Sequence, residues 1–142
     1  MDKTSLFQKF VVFTTAVHDV TYTMTKDVKA DTITSIQYRI LQYLAVNPPA
    51  TPSEISECMH LSLPNTSREL KKLDEAGLFE RIPDIEDRRR QHIMLSGKGK
   101  TLMKDAFACI QVRFEERIRS ATEDEKKEIE QALDLLQSKI FY

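Results

Sequence analysis

Two stretches of this 142-residue chain combine residue types and spacings that suit contact with a polyanion. In the first, Ser62 is placed to cap a helix and Pro64 falls in that helix's first turn. Asn65, Thr66 and Ser67 then occupy the N-terminal turn, where free backbone donors can meet phosphate and side chains can approach base edges. Arg68 and Lys71, three residues apart, project from a similar face. The expected division of labour gives base readout to Asn65, Thr66 and Arg68, and backbone contact to Ser67 and Lys71. In the second stretch, Arg88, Arg89 and Arg90 sit at or near a turn between two strand-like runs, the form in which an arginine such as Arg89 reaches a narrow minor groove.

Other chemistries find little support in the residues. Cys58 and Cys109 lie far apart, and with His18, His60 and His92 they form no set with zinc-ligand spacing; Cys58 and His60 are a lone pair. Both cysteines are expected to be buried or half-buried packing residues. Neither has a cationic neighbour in sequence to lower its pKa, which weakens a thiol-switch reading without removing it. There is no paired acid and base, nucleophile constellation or phosphate-cradling glycine loop, so neither an enzyme nor a bound cofactor is expected.

The elements that must position these groups are mostly helical. Leu6, Phe10, Phe13, Val17, Val20 and Met24 recur every three or four residues, which predicts a long helix over about residues 5–28 with one narrow apolar seam. Thr34 caps a helix carrying Ile36, Ile40, Leu41 and Leu44, which stops at Asn47-Pro48-Pro49. Thr51-Pro52-Ser53-Glu54 is a capping box that opens a short helix to about Met59. The helix after Ser62 turns Leu70 and Leu73 inward and stops at Gly77. Two short helices in tight succession form a helix-turn-helix pattern. Strands are expected over 78–82 and 91–95, and a helix from Ser96 carries Met103, Phe107, Ile110, Phe114 and Ile118 on one stripe. A second capping box, Thr122 to Glu125, opens a last helix with Ile129, Leu133, Leu136 and Ile140.

Composition agrees. Three glycines in 142 residues disfavour an all-β fold, and 41% hydrophobic with 30% charged residues is typical of a soluble domain. The net charge of −1 conceals an asymmetry: residues 60–104 hold 10 Lys and Arg against 7 Asp and Glu, so the basic part is the middle. Neither a membrane span nor a signal peptide is indicated, and a cytoplasmic location without membrane partners is expected.

Taken in order, several segments resemble the multiple-antibiotic-resistance regulator (MarR) family. Gln37 with Leu41 and Leu44, Thr51-Pro52-Ser53-Glu54-Ile55, the run from Leu61 to Arg68, and Leu73-Asp74-Glu75-Ala76-Gly77-Leu78 resemble its helix-turn-helix. Asp87-Arg88-Arg89 followed by Leu95-Ser96-Gly97-Lys98-Gly99 resembles its wing signature. The resemblance covers nearly the whole chain.

It implies one mainly α domain over 1–142 with a small two- or three-stranded antiparallel wing. Residues 33–97 are expected to form a winged helix-turn-helix DNA-binding lobe, flanked by dimerisation helices over 1–32 and 98–142. It further implies a homodimeric transcription factor, commonly a repressor, acting on a pseudo-palindromic duplex. Asp87 is expected to pair with Arg89 and hold its guanidinium in one pose. Leu6, Phe10, Phe13, Phe114, Leu133, Leu136 and Ile140, joined by Phe141 and Tyr142, are the expected dimer interface. A small aromatic or amphipathic effector is expected near His18, Tyr22, Tyr38 and Phe107. Two alternatives stand beside this reading: a thiol-based redox sensor using Cys58 or Cys109, and a winged-helix protein-interaction module that does not touch DNA.

Overall fold

The computed structural model describes residues 3–87 and 89–142. Helices α1 (Lys3–Thr25), α2 (Ser35–Val46), α3 (Pro52–Met59) and α4 (Leu63–Glu75) precede strands β1 (Phe79–Pro83) and β2 (Gln91–Leu95). Helices α5 (Gly97–Arg117) and α6 (Glu123–Lys139) follow. Local capping chemistry sets most of these boundaries. Thr34, Thr51, Ser62, Ser96 and Thr122 each sit in extended backbone and accept the amide three residues on, satisfying a donor the helix leaves orphaned. The box at Thr51 is half-formed: Glu54 directs its carboxylate to the Thr51 hydroxyl, 3.2 Å away. Two residues in left-handed backbone close helices where glycine is absent, His60 after α3 and Asp27 after α1. Asp27 is why α1 stops at Thr25 rather than running on to residue 28.

Strands β1 and β2 pair antiparallel, Phe79 opposite Leu95 through Pro83 opposite Gln91. Ala50 adds a single bridge to Ile93, so the wing has two strands and one residue of a third. Buried apolar residues run from Ile33 to Ala106, and the most enclosed, Ile40, Leu41, Leu44, Ile55, Leu73, Ile93 and Met103, come from α2, α3, α4, β2 and α5. The first half of α5 therefore belongs to this core. By contrast α1 and α6 have no buried residue. Helix α1 is tied to α5 by Arg113, whose guanidinium donates to the carbonyls of Met24 (2.9 Å) and Lys26 (2.6 Å) beyond the end of the α1 ladder.

The joint between α4, β2 and α5 is closely built. Gly77 takes φ +72° and turns the chain out of α4. The Ser96 hydroxyl donates to the Gly77 carbonyl (2.6 Å) and accepts from the Gly99 amide (3.0 Å), while the Ser96 amide donates to Leu78 (3.1 Å). Lys98 Nζ reaches the Ala76 carbonyl at 2.9 Å. A Cβ on Gly99 would lie 2.1 Å from the Leu78 carbonyl oxygen, so the close approach of α5 to the end of α4 requires glycine there.

Candidate nucleic-acid interface

Helix α4 carries its buried residues at Thr66, Leu70 and Leu73, one stripe of a 3.6-residue period. Pro64, Arg68 and Lys71 fall opposite that stripe and are exposed, and Asn65 and Ser67 are exposed on its two flanks. Ser62 accepts the Asn65 amide at 3.2 Å, holding the first turn in register. Thr66 departs from expectation. It is fully buried, and its hydroxyl donates back to the Ser62 carbonyl at 2.9 Å, so it packs the helix down and has no access to a base edge. Glu69, which would repel phosphate, is held by Gln37 Nε2 (3.0 Å) and Lys72 (3.8 Å).

The wing tip is organised by two aspartates. Asp84 accepts the amides of Glu86 (2.9 Å) and Asp87 (3.4 Å) and meets His92 Nε2 at 3.3 Å. These backbone bonds, with the His92 contact, hold its carboxyl below the usual aspartate range. The Asp87 carboxylate accepts the Arg89 amide at 2.9 Å, and the Arg90 amide closes the turn on the Asp87 carbonyl at 3.0 Å. Asp87 thus orients Arg89 through its backbone; among the described residues it makes no ion pair with the Arg89 guanidinium, contrary to the expected pairing. Arg89 and Arg90 are exposed, and Arg88 lies outside the described residues.

Two further features of this surface were not anticipated from sequence. A cleft of about 490 Å³ lies between the first turn of α3, at Thr51, Ser53 and Glu54, and the tip end of the wing at Arg89, Arg90 and His92. The Thr51-Pro52-Ser53 run was legible as a cap, but its approach to the wing is tertiary. Ile85 is 99% exposed at the wing tip, where its apolar side chain has no packing role in the single chain.

The residues expected to hold an effector are divided. Tyr22 and Tyr38 line one cavity of about 560 Å³ with Lys29, Asp31, Arg39 and Gln42. Burial raises the Tyr38 phenol above its ordinary range, and its hydroxyl is buried without a hydrogen-bond partner among the described residues. Phe107 lines a different cavity, with Leu44 and Met103, and His18 is exposed on α1 and lines neither. Cys58 and Cys109 are both exposed in the single chain, not packed as expected. Of the seven residues expected at a dimer interface, Leu6, Phe10, Phe13, Leu136 and Ile140 meet along one apolar groove between α1 and α6, where the rings of Phe10 and Phe141 stand 6.1 Å apart. Phe114 and Leu133 are exposed outside that groove.

A helix-turn-helix followed by a two-stranded β-ribbon, with exposed cations on the second helix and at the ribbon tip, is a winged helix-turn-helix. Residues 31–90 match the model of the MarR family. An uncharacterised helix-turn-helix-type transcriptional regulator of Bacillus subtilis, YfiV, is 25% identical over 100 residues, covering 70% of this chain and 62% of that protein. The chain thus spans under two thirds of that relative's length. A MarR family protein from Bacillus stearothermophilus superposes with a TM-score of 0.81 at 19% identity, over 100% of this chain and 99% of the other. A variant of S. aureus MepR bound to an oligodeoxyribonucleotide gives 0.60 at 21% identity, over 92% and 96%. Residues 31–90, less than half of the chain, thus carry the likeness to the MarR family, and the superpositions show that the whole chain shares the fold of these proteins. Among the described residues, no helix is long and apolar enough to cross a membrane.

Proposed function

We propose that this protein is a homodimeric repressor that binds a pseudo-palindromic duplex in the cytoplasm and is released by a small-molecule effector. The strongest support is one surface. Pro64, Ser67, Arg68 and Lys71 all point away from the core on a helix whose other face is anchored by Thr66, Leu70 and Leu73, and Arg89 and Arg90 stand on the neighbouring wing. In this reading Arg68 and Asn65 read base edges, while Ser62, Ser67 and Lys71 hold phosphates. Arg89, with Arg88 and Arg90 beside it, enters the minor groove. The cleft between Thr51 and Arg90 seats a further phosphate. Pairing of two copies through the groove between α1 and α6 covers apolar residues such as Leu6, Phe13 and Ile140, each at least 42% exposed in the single chain.

The effector site that the geometry favours is the cavity of Tyr22 and Tyr38, because the buried Tyr38 hydroxyl lacks a partner and the exposed Arg39 stands beside it. The test is selection of bound sequences from a random duplex pool, with binding of the winners measured at several salt concentrations. Two half-sites about 10 bp apart and a steep loss of affinity with salt are expected. No enriched sequence, or salt-independent binding, would instead favour a protein-interaction module.

A further inference from the structure

The tip of the wing carries one side chain that the single chain does not use. Ile85 is 99% exposed, more than any other large apolar side chain among the described residues. It does not line the groove through which two copies are proposed to pair. The turn that presents it is closed by its neighbours. Asp84, immediately before it, accepts the amides of Glu86 (2.9 Å) and Asp87 (3.4 Å) and donates its own amide to the Arg90 carbonyl (3.4 Å). The Arg90 amide returns to the Asp87 carbonyl at 3.0 Å, and His92 on β2 meets the second carboxylate oxygen of Asp84 at 3.3 Å. Ile85 is also β-branched and stiff about χ1. Backbone and side chain are both constrained before any partner arrives, so enclosing the side chain costs little further entropy.

The charges around Ile85 select its partner. The Asp84 and Asp87 carboxylates are taken up by the amides of Glu86, Asp87 and Arg89, which leaves Glu86 as the open carboxylate of the turn. Arg89 and Arg90 are exposed and make no ion pair among the described residues. Two open cations against one open carboxylate draw the tip to a polyanion. Isoleucine offers phosphate nothing, however, and its burial is favourable only against an apolar surface. Base faces at a partly unstacked step supply that surface, and the minor groove is where apolar wedges reach it. We propose that Ile85 is such a wedge, inserted from the minor groove at a base step beside each half-site, so that the flanking sequence prefers a pyrimidine–purine step. Those steps kink and unstack most easily. The inference rests on the operator-binding reading and adds to it a selectivity that no hydrogen bond to a base carries. Arg89 and Arg90 hold the loop in the groove, and Ile85 selects the step that can open.

Selection from a random duplex pool, run in parallel with the parent, Ile85→Ser and Ile85→Leu, tests this. The parent and Ile85→Leu are expected to enrich a pyrimidine–purine step at a fixed place outside each half-site, and Ile85→Ser to recover the same half-sites without it. On the parent's selected duplex Ile85→Ser is expected to bind about tenfold more weakly than the parent, and on a duplex with a G·C-rich, purine–pyrimidine flank about equally well. A fluorescent adenine analogue, 2-aminopurine, at the purine of the step reads unstacking directly: its emission is expected to rise on binding of the parent and not of Ile85→Ser. Melting temperatures are expected to match, since the replaced side chain is 99% exposed. The proposal is overturned by the same flanking preference in the parent and Ile85→Ser, by equal loss of affinity on both duplexes, or by unchanged emission with the parent. If the parent enriches no sequence, the operator-binding reading falls and the wedge with it; if it enriches half-sites whose flanks ignore the Ile85→Ser change, the wedge alone falls.

Discussion

Replacing Gly99 by alanine tests whether the joint between α4 and α5 is held by close backbone approach. The added Cβ would lie 2.1 Å from the Leu78 carbonyl oxygen, 3.1 Å from its carbonyl carbon and 3.3 Å from Leu95 Cδ2. A carbon and a carbonyl oxygen settle at about 3.3–3.6 Å, so the two segments must part by more than about 1 Å. That movement stretches the bond from the Ser96 amide to Leu78, now 3.1 Å, and disturbs the Ser96 hydroxyl bonds to Gly77 and Gly99. Overpacking costs about 1–3 kcal/mol and each disrupted hydrogen bond about 1 kcal/mol, while alanine returns up to about 1 kcal/mol of helix propensity. The net expectation is a loss of about 2–3 kcal/mol.

At this chain length 1 kcal/mol corresponds to about 4 °C in Tm, so Gly99→Ala is expected to melt about 8–12 °C below the parent. Gly97→Ala is the internal control: nothing lies within 4 Å of its would-be Cβ, so it is expected to be neutral or slightly stabilising. Both melts are to be followed by circular dichroism at one protomer concentration, because association shifts apparent stability. If Gly99→Ala melted within about 2 °C of Gly97→Ala, α5 would not be held by this approach and the steric reasoning would fail.

Further expectations concern the interface and the assembly. Arg68→Ala should cost about 1–3 kcal/mol of DNA affinity and relax base preference, whereas Lys71→Ala should weaken all sequences alike and lower the salt slope by about one, both read by fluorescence anisotropy against a substituted operator series. Thr66→Val should lower stability by about 1 kcal/mol in denaturant without altering base preference; altered preference would mean that Thr66 faces DNA after all. Because folding depresses the Asp84 pKa, its contribution is present above the ordinary aspartate range and is lost as pH falls through the lower folded value. Carboxyl chemical shifts should therefore place its midpoint below about 3.9, and a midpoint at or above that contradicts the wing-tip geometry. Leu136→Asp should convert a dimer to monomers by light scattering, and an unchanged mass would remove the groove between α1 and α6 from the interface.

What the sequence made legible was local. The caps at Thr34, Thr51, Ser62, Ser96 and Thr122 and the turn at Gly77 depend on backbone donors a few residues away, and each lies where its residue type predicts. The end of α1 was not legible, because an aspartate in left-handed backbone carries no compositional mark as glycine does. Thr66 misleads for a related reason. It is polar and lies in a polar run, yet it completes the stripe of Leu70 and Leu73 at a 3.6-residue period, and its hydroxyl is satisfied by the preceding turn. Periodicity outranks polarity at such a position. The division of Tyr22 and Tyr38 from Phe107 depends on how α1, α2 and α5 cross, which no local pattern specifies.

The same distinction explains how the parts communicate. Helix α4, the wing and helix α1 are separate in sequence, but Ser96 and Gly99 fasten the end of α4 to the start of α5, and Arg113 fastens the other half of α5 to the end of α1. In the proposed dimer, a change in the angle between α1 and the winged lobe would reach the base of α4 through α5. A ligand would shift an equilibrium between arrangements only as far as it bound one better than another, and each cavity lies between two elements, Tyr22 and Tyr38 lining one between α1 and α2, Met94 and Phe107 the other between β2 and α5. Loosening either fastening, at Gly99 or at Arg113, should therefore weaken the response of DNA affinity to a ligand more than it weakens binding of the ligand itself.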